Sequence, residues 1–284
     1  MIGSLQTGVS GLQQFQDDLE VIGNNIANVN TTGYKSANME FADTFSQTIG
    51  GSAEGPMQVG SGVMSSTISS DYSQGTINPT GIATNLAISG DGFFVVKDSS
   101  SGVSYVTRDG NFSLNKSTGD LINASGYNVQ GYVGAGPYTS GSTIGNLQIS
   151  AGAAATALND TTTPAPTLTA WSIDSAGQIN ATLSDGTSGV IGQVVLQNFT
   201  NPQALIKEGG NMLLSTANAG AMATPAAPNT GGLGLIQSSA LETSNVDLAG
   251  QMAAMITAQR AFEANAKIIT TSDEVLQDLV NLKR

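Results

Sequence analysis

Five aspartates are the residues whose type and surroundings come closest to offering chemistry in this sequence: Asp91, Asp109, Asp120, Asp174 and Asp185. A pair of carboxylates can hydrolyse a glycosidic bond, with one group protonating the leaving oxygen and the other attacking or activating water. Most of these aspartates, however, stand beside or near glycine in sequences that are typical of tight turns. We interpret them as turn residues and predict no catalytic site.

Other catalytic and ligand-binding groups are missing from the composition. The chain has no cysteine and no histidine, which removes disulfides, thiolate nucleophiles, histidine bases and the usual zinc, copper and haem ligands. No nucleophile elbow or phosphate-binding Gly-Lys-Ser/Thr loop occurs, and "GYVGAG" at 131–136 is better explained by a β-turn than by a dinucleotide fingerprint. No stretch has the ligand spacing of an EF-hand. The sequence therefore predicts neither an enzyme, nor a cofactor, nor a metal site.

Charge and hydropathy narrow the possible partners. The net charge is −12 and only 11% of the residues are charged, which argues against nucleic acid and against an anionic membrane surface. No window approaches the roughly 20 apolar residues of a membrane span, so we expect no membrane insertion. The N-terminus lacks the basic and apolar regions of a cleaved signal peptide. Low charge with moderate hydropathy suits a surface that is covered by copies of itself.

The N-terminal segment has the apolar spacing of a helix. Apolar residues recur at intervals of three and four, close to a coiled-coil heptad with one irregularity; they include Leu5, Val9, Leu12, Leu19, Ile22 and Ile26. Gly8, Gly11 and Gly23 each weaken a helix by up to about 1 kcal/mol relative to alanine. We expect this helix to need a partner.

The C-terminal segment has the same spacing over a longer distance. Its apolar positions include Leu248, Met252, Met255, Phe262, Ile269 and Leu276. We predict a helix of about 38 residues from Val246, spanning on the order of 55 Å, with Ser244 or Asn245 as its cap. Lys283 and Arg284 place positive charge at its end. A helix of this length without a membrane span indicates a coiled coil or a bundle.

The stretch "NNIANVNTTGYK" at 24–35 combines this apolar spacing with many amides. A buried asparagine fixes the register of a coiled coil more than it adds stability. We therefore predict that Asn25 and Asn28, with Asn24, set register beside the seam. Asn30 and Gly33 suit a helix end and a turn into the next segment.

The middle of the chain is β-patterned. Short strand-like runs include "NLAISGDGFFVVKD", "VSYVTRDGNFSLN" and "GVIGQVVLQNF", and Asp-Gly pairs at 91, 109 and 185 mark tight turns between strands. We read 151–169 and 215–231 as loops, and the Gly/Ser-rich 46–62 as a mobile connector.

The fold class that follows is α+β and multidomain. We predict a discontinuous N- and C-terminal α-helical coiled-coil domain of residues 1–33 and 245–284, with an all-β domain inserted at 76–244. An extended connector, 34–75, joins them.

Three blocks of this sequence resemble the bacterial flagellar axial proteins, which are the rod, hook and hook-associated subunits. "SGLQQFQDDLEVIGNNIANVNTTGYKS" is similar to their N-terminal signature, "NLAISGDGFFVV" with "YVTRDGNFSLNKSTGDLINASGYNVQGY" to their central β-domain motif, and "ALETSNVDLAGQMAAMITAQRAFEANAKIITTSDEVLQDLVNLKR" to their C-terminal helix. In the central motif we single out Gly90, Asp91, Gly92, Phe93 and Phe94.

The resemblance implies a structural subunit of the flagellar hook, a flexible helical tube that transmits motor torque to the filament. The alternative is a distal rod or other basal-body rod protein, because typical hook subunits are longer and carry an additional outer β-domain. Implied partners are copies of the chain, other axial proteins (rod, hook-associated, hook cap) and the flagellar export apparatus. The implied location is the cell-surface hook or basal body, reached without a cleaved signal peptide.

The resemblance also implies that the two terminal helices form the inner wall of the tube. The residues we assign to subunit assembly are therefore Leu5, Val9, Leu12, Leu19, Ile22, Asn25, Ile26, Asn28, Leu248, Met252, Met255, Phe262, Ile269 and Leu276. A carbohydrate-active protein or lectin would leave the terminal helices unexplained, and an adhesin would not account for the motif blocks.

Overall fold

The computed structural model describes residues 2–52, 55–134, 136, 138, 142–158, 166–220 and 224–282. Those residues fold into two compact units. The helical unit contains residues 1–29, 35–72 and 246–284, and the β unit contains 30–34 and 73–245. An α+β class is therefore confirmed. Residues 35–72, which the sequence analysis assigns to a separate connector, belong to the helical unit.

The helical unit is built on two long helices, α1 (Ile2–Ala27) and α3 (Leu248–Leu282). Its other element is a two-stranded ribbon made of β1 (Ala37–Asp43), β2 (Ser46–Ser52), β3 (Gly55–Gly60) and β4 (Val63–Ser70). β1 pairs with β4 and β2 with β3, both antiparallel. Residues 46–52 and 55–60, which lie in the segment that we predicted as a mobile connector, therefore form paired strands.

α1 and α3 run antiparallel. Ser4 of α1 lies beside Ser272, with 3.4 Å between their Oγ atoms, whereas Asn25 lies beside Gln251, with 3.1 Å from Nδ2 to Oε1. Contacts thus move toward the start of α3 as they move toward the end of α1. Gly8 and Gly11, which weaken α1 on its own, allow α1 and α3 to pack closely. A Cβ on Gly11 would lie 2.8 Å from Nδ2 of Asn265, and one on Gly8 would lie 3.1 Å from Cγ1 of Ile269.

We expect Gly11→Leu to destabilise the helical unit by about 1–3 kcal/mol, because the added side chain must enter the space of Asn265. The matched control is Gly23→Leu, since a Cβ there meets nothing within 4 Å. The control should be neutral or stabilising by up to about 1 kcal/mol, as leucine favours helix over glycine. Far-UV circular dichroism during denaturant unfolding measures both. Equal effects at the two positions would contradict close packing at Gly11.

The start of α3 differs from the prediction. The helix begins at Leu248, and Asp247 caps it, with Oδ1 accepting from the N–H of Ala249 at 3.1 Å. Asn245 instead donates through Nδ2 to Ser73 Oγ at 3.0 Å. α3 has 35 residues. The predicted cations Lys283 and Arg284 lie outside the described residues.

The β unit consists of short antiparallel strands. Twelve form one sheet with the main order β13-β14-β15-β11-β7-β8-β18-β17, and the pairs β6–β19 and β5–β20 stand apart from it. The strands are β5 (Ile77–Pro79), β6 (Leu86–Ser89), β7 (Phe93–Lys97), β8 (Ser104–Thr107), β9 (Ser113–Leu114), β10 (Leu121–Ile122), β11 (Asn128–Val133), β12 (Ile144–Asn146), β13 (Leu168–Ile173), β14 (Gln178–Leu183), β15 (Ser188–Val194), β16 (Leu196–Gln197), β17 (Ile206–Gly209), β18 (Met212–Leu214), β19 (Leu235–Ser238) and β20 (Ala240–Glu242).

A single apolar core holds this unit together. Side chains from β6, β7, β10, β11, β14 and β15 are almost fully buried in it, and Phe94 and Phe112 meet edge to face at 5.2 Å between ring centroids. Each of the three strand-like runs contributes buried side chains to this core: "NLAISGDGFFVVKD" through Leu86, Ile88, Phe94 and Val96, "VSYVTRDGNFSLN" through Phe112, and "GVIGQVVLQNF" through Ile191, Val194 and Leu196. The fold thus buries the apolar residues that the alternating pattern marked.

Three parts of the β unit can be compared with the sequence analysis. A short helix, α2 (Ala151–Ala157), capped by Ser150 Oγ, occupies the start of the predicted loop 151–169; residues 159–165 lie outside the described residues. Of the three Asp-Gly turns, only that at 185 joins two strands that pair directly, β14 and β15. In 215–231, a 3-10 turn spans Ala217–Ala219, and residues 221–223 are not described.

Candidate functional site

The amide of Asn25 forms a junction in the helical unit. Its side chain is 1% exposed. Oδ1 accepts from the N–H of Ala37 at 2.9 Å, and Nδ2 donates to the carbonyl of Ala37 at 2.7 Å and to Oε1 of Gln251 at 3.1 Å. Swapping the amide atoms would set donor against donor, so the backbone of Ala37 fixes the orientation. One side chain therefore joins α1, the first residue of β1, and α3; we call Asn25, Ala37 and Gln251 the helical junction.

The neighbouring amides act differently. Asn28 donates through Nδ2 to the carbonyl of Asn24 at 2.9 Å and to its Oδ1 at 2.7 Å, on a more exposed side of α1. We predicted that Asn24, Asn25 and Asn28 share one register-setting role. The structure shows Asn25 hydrogen-bonded to both the ribbon and α3, whereas Asn24 and Asn28 are hydrogen-bonded to each other.

Residues 30–34 belong to the β unit, although the residues on both sides belong to the helical unit. The N–H of Gly33 donates to the carbonyl of Glu242 at 2.9 Å, and Asn211 donates through Nδ2 to the carbonyl of Thr32 at 2.8 Å. Gly33 has φ +67°, and a Cβ would lie 2.7 Å from the carbonyl carbon of Arg108. Glycine is therefore required there both by conformation and by space.

A buried ion pair stands beside this turn. Nη1 of Arg108 lies 3.5 Å from Oε2 of Glu242, and the two side chains are 4% and 0% exposed. Oε1 of Glu242 accepts from the N–H of Gly75 at 2.9 Å, and the guanidinium of Arg108 lies 5.3 Å from the ring centre of Phe93. We call Gly33, Gly75, Arg108 and Glu242 the β junction.

The electrostatics of the β junction follow from its burial. Desolvation lowers the pKa of the Arg108 guanidinium, while the negative charges of Glu242 and Asp91 oppose that shift. An arginine remains charged even so. The junction thus holds a cation and an anion that the protein, and not water, must stabilise.

The motif Gly90-Asp91-Gly92-Phe93-Phe94 forms the turn from β6 into β7. Gly90 and Gly92 have φ +110° and +128°, and the carbonyl of Asp91 accepts from the N–H of Gly234 at 2.7 Å. Phe94 lies in the core, and Phe93 lies beside Arg108. The motif therefore supports the β junction and the core.

The residues we assigned to subunit assembly fall into two groups in the structure. Ile22 and Asn25 are buried, and Leu5, Leu12, Leu19, Ile26, Asn28, Met255, Phe262, Ile269 and Leu276 are half-buried. Val9, Leu248 and Met252 are 45%, 40% and 50% exposed. The first group is largely occupied within the chain, and the second is open to other molecules.

The five aspartates are distributed over separate turns and strands. Asp174 and Asp185 accept backbone N–H groups within the turns after β13 and β14, as a turn role requires. Burial raises the pKa of the Asp109 carboxyl, against a hydrogen bond from the N–H of Asn111. Within the described residues, no three acidic side chains gather into a possible metal site. Nor does a helix in that part of the chain have the length and apolarity of a membrane span.

Sequence reasoning missed Gln251, Arg108, Asn211 and Glu242. Arg108 stands in "RDG", where we read only the turn, and Glu242 stands in "ALETS" before the helix. A charged residue in an otherwise apolar and small-residue context was the available signal. Its meaning depended on a partner far away in sequence.

Three family models match the chain in order along its length. The "Flagella basal body rod protein" model matches residues 5–35, the "Flagellar hook protein FlgE/F/G D1 domain" model residues 87–181, and the "Flagellar basal body rod FlgEFG protein C-terminal" model residues 237–282. The matched residues include most of α1, much of the β unit and all of α3. Together they define the class: a structural protein of the flagellar axis.

The relatives specify the family. The flagellar basal-body rod protein FlgG of Bacillus subtilis is 40% identical, with all of both chains covered, and that of Caulobacter vibrioides is 35% identical, with 99% of each covered. The chain belongs to the family of flagellar basal-body rod and hook proteins, as its motifs indicated. These relatives are structural proteins, so the prediction that the chain is not an enzyme is confirmed.

The hook protein is a more distant relative. The flagellar hook protein FlgE of Borreliella burgdorferi is 26% identical over 445 aligned positions. A solved structure of Helicobacter pylori flagellar hook protein FlgE2 matches 66% of this chain, which spans about half of that one (47%), at 15% identity and TM-score 0.24. Because the relatives of 40% and 35% identity are named as rod proteins and the hook relative is 26% identical, the preference for hook over rod is not supported.

Proposed function

We propose that this chain is a subunit of the distal rod of the bacterial flagellum, where copies assemble into a straight helical tube. The support is similarity along the whole length to proteins named as basal-body rod proteins. Alignment with a hook protein instead extends over 445 positions, far more than the 284 residues of this chain. That difference leaves room in the hook relative for an additional domain.

The observation that carries an assembly role is the apolar surface of the helical unit. On α3, the exposed large apolar side chains are Leu248, Met252, Ile256, Ile268, Val275, Leu279, Val280 and Leu282. On the ribbon, Phe41, Phe45, Ile49, Met57, Val59, Met64 and Ile68 are between 40% and 95% exposed. Extended apolar surface of this kind marks interaction sites. Copies of the chain are the occupants that a polymer supplies.

In this proposal the terminal helices form a coiled-coil layer that lines the tube. Contacts between copies are heterologous and generate an open helix instead of a closed ring. Neighbouring partners are other axial proteins, including the hook, and export occurs through the flagellar export apparatus without a cleaved signal peptide. The location is the basal body.

Electron microscopy of the concentrated protein, and of cells expressing it in place of their own rod or hook subunit, tests the proposal. Straight cylinders and rescue of a rod-deficient strain are expected. Curved tubes and rescue of a hook-deficient strain would favour the hook instead. Absence of any polymer over a wide concentration range would refute both.

We expect Met252→Asp to prevent polymerisation at concentrations where the wild type assembles, because Met252 is 50% exposed and the change places a charge on an apolar contact surface. Sedimentation of polymer measures the effect. Ser117→Asp is the matched control, since it adds the same charge at an exposed polar position in the β unit. Both variants should keep their monomer stability within about 0.5 kcal/mol. Normal polymer from Met252→Asp would exclude this face from assembly.

A further inference from the structure

A cleft in the helical unit runs between α1 and the ribbon. It has a volume of about 300 Å³, and its lining residues are Asp17, Glu20, Val21, Asn24, Met39, Ser65 and Ile68. Asp17 and Glu20 are exposed, while Val21 and Met39 are half-buried. We call this the α1 cleft. It presents two carboxylates together with the apolar side chains of Val21, Met39 and Ile68, which we call its apolar floor.

Such a surface suits a side chain with an apolar stem and a cationic head. Arginine and lysine bury their methylenes against apolar groups and keep the charge near carboxylates. The chain carries 21 acidic and only 9 basic residues, so few cations of a second copy could serve. The possible occupants can therefore be compared one by one.

Among the described residues, the exposed cations are Lys97, Lys116, Lys207, Arg260 and Lys267. Lys207 already lies 5.4 Å from the ring centre of Tyr34. Arg260 and Lys267 differ from the others in lying on α3, one face of which also carries exposed Met252 and Ile256. We call Met252, Ile256, Arg260 and Lys267 the α3 stripe.

The α3 stripe shares one helix face. Its members are separated by four, four and seven residues, and at 100° per residue they fall within less than a quarter turn of each other. Ala258 is 3% exposed and Phe262 is half-buried, on a face that turns away from the stripe. Ile256 is 58% exposed, and the side chain of Arg260 is 78% exposed. The stripe is therefore not seated in the α1 cleft of its own chain.

We propose that the α3 stripe of one copy docks into the α1 cleft of the next, with Arg260 near Glu20 and Ile256 over the apolar floor. The inference rests on the proposed function, because it names the contact that joins copies in the polymer. The α3 stripe and the α1 cleft are different surfaces, so the contact is head-to-tail. Each end of the polymer therefore keeps one of the two surfaces free. Arg260 pairs with Glu263 at 3.1 Å in its own helix, an exposed pair that is weak enough to exchange.

Cross-linking between copies tests the contact. Because the natural chain has no cysteine, two differently tagged populations can carry Glu20→Cys and Arg260→Cys separately. They are mixed, allowed to polymerise and treated with a short bismaleimide. We expect a covalent heterodimer of the two tagged chains. Separate populations make the product intermolecular by construction.

The control pairs Arg260→Cys with Lys116→Cys, an exposed position in the β unit, and should give no comparable product. Polymer that forms without the Glu20–Arg260 product overturns the inference and leaves the proposed function standing. Failure of the unsubstituted chain to polymerise at all refutes the proposed function and, with it, the inference.

Charge exchange gives a second measurement. Glu20→Arg and Arg260→Glu, each alone, should raise the critical concentration for assembly about two- to five-fold, as for an exposed ion pair. The chain carrying both changes should return toward the wild-type value, since the pair is restored with opposite polarity. A double variant that is worse than either single variant would overturn the pairing.

Discussion

Glu242→Gln should destabilise the β unit by about 3–5 kcal/mol, the usual loss when one partner of a buried ion pair is neutralised. Arg108 would keep its charge at 4% exposure without the carboxylate 3.5 Å away. The glutamine carbonyl can still accept from the N–H of Gly75, which now bonds to Oε1. The substitution therefore isolates the charge from the hydrogen bond.

Fluorescence of Trp171 during denaturant unfolding measures this loss, because the chain has one tryptophan and it lies in β13 of the β unit. Glu208→Gln is the matched control. Glu208 is exposed in β17, so its neutralisation should change stability by less than about 0.5 kcal/mol.

A second variant distinguishes the loss of the charge pair from the loss of hydrogen bonding and packing at this position. Arg108→Met with Glu242→Leu replaces both charges by apolar groups, and such replacements of buried pairs are often neutral or stabilising. The double variant should therefore lose less stability than Glu242→Gln alone. If the double variant lost as much unfolding free energy as Arg108→Met and Glu242→Leu lose when their separate losses are added, hydrogen bonding and packing, and not charge, would hold this junction.

Asn25→Leu should destabilise the helical unit by about 2–4 kcal/mol. The leucine leaves both the N–H and the carbonyl of Ala37 without the partners they now have at 2.9 and 2.7 Å, and each unsatisfied buried group costs about 1–3 kcal/mol. Amide hydrogen exchange across α1 and β1 measures the change, with faster exchange expected in both. If the variant polymerises, we expect altered tube geometry, because the hydrogen bonds that align ribbon and helix are gone.

Two further substitutions at this position and its neighbour make the expectation specific. Asn25→Asp keeps an acceptor for the N–H of Ala37 but loses the donor, so its exchange rates should fall between wild type and leucine. Asn28→Ala removes bonds to Asn24 on a more exposed side of α1 and should cost less than about 1 kcal/mol. Equal effects of Asn25→Leu and Asn28→Ala would contradict a special role for the helical junction.

Local pattern was sufficient for the terminal helices, most strands and the family. Leu5, Ile22, Met255 and Phe262 belong to two series of apolar residues spaced three and four apart, a pattern that depends only on neighbours in sequence. The structure places all four in α1 and α3. Most strands could be predicted because alternating apolar residues indicate a strand with one buried face. The pairing of β2 with β3 within 46–62 was not predicted, because glycine and serine are common both in linkers and in exposed ribbons, and composition does not reveal a pairing partner.

The sequence by itself determined which residue types are absent and where the long helices lie, since these depend on composition and short-range spacing, and the resemblance of three motif blocks indicated the family. Only the tertiary structure decided what Asn25, Gly33, Arg108 and Glu242 do. Asn25 meets Gln251 across 226 positions, and the carbonyl of Glu242 meets the N–H of Gly33 from the opposite end of the chain. A buried polar group is defined by the partner that replaces water, and folding, not local spacing, brings that partner within reach.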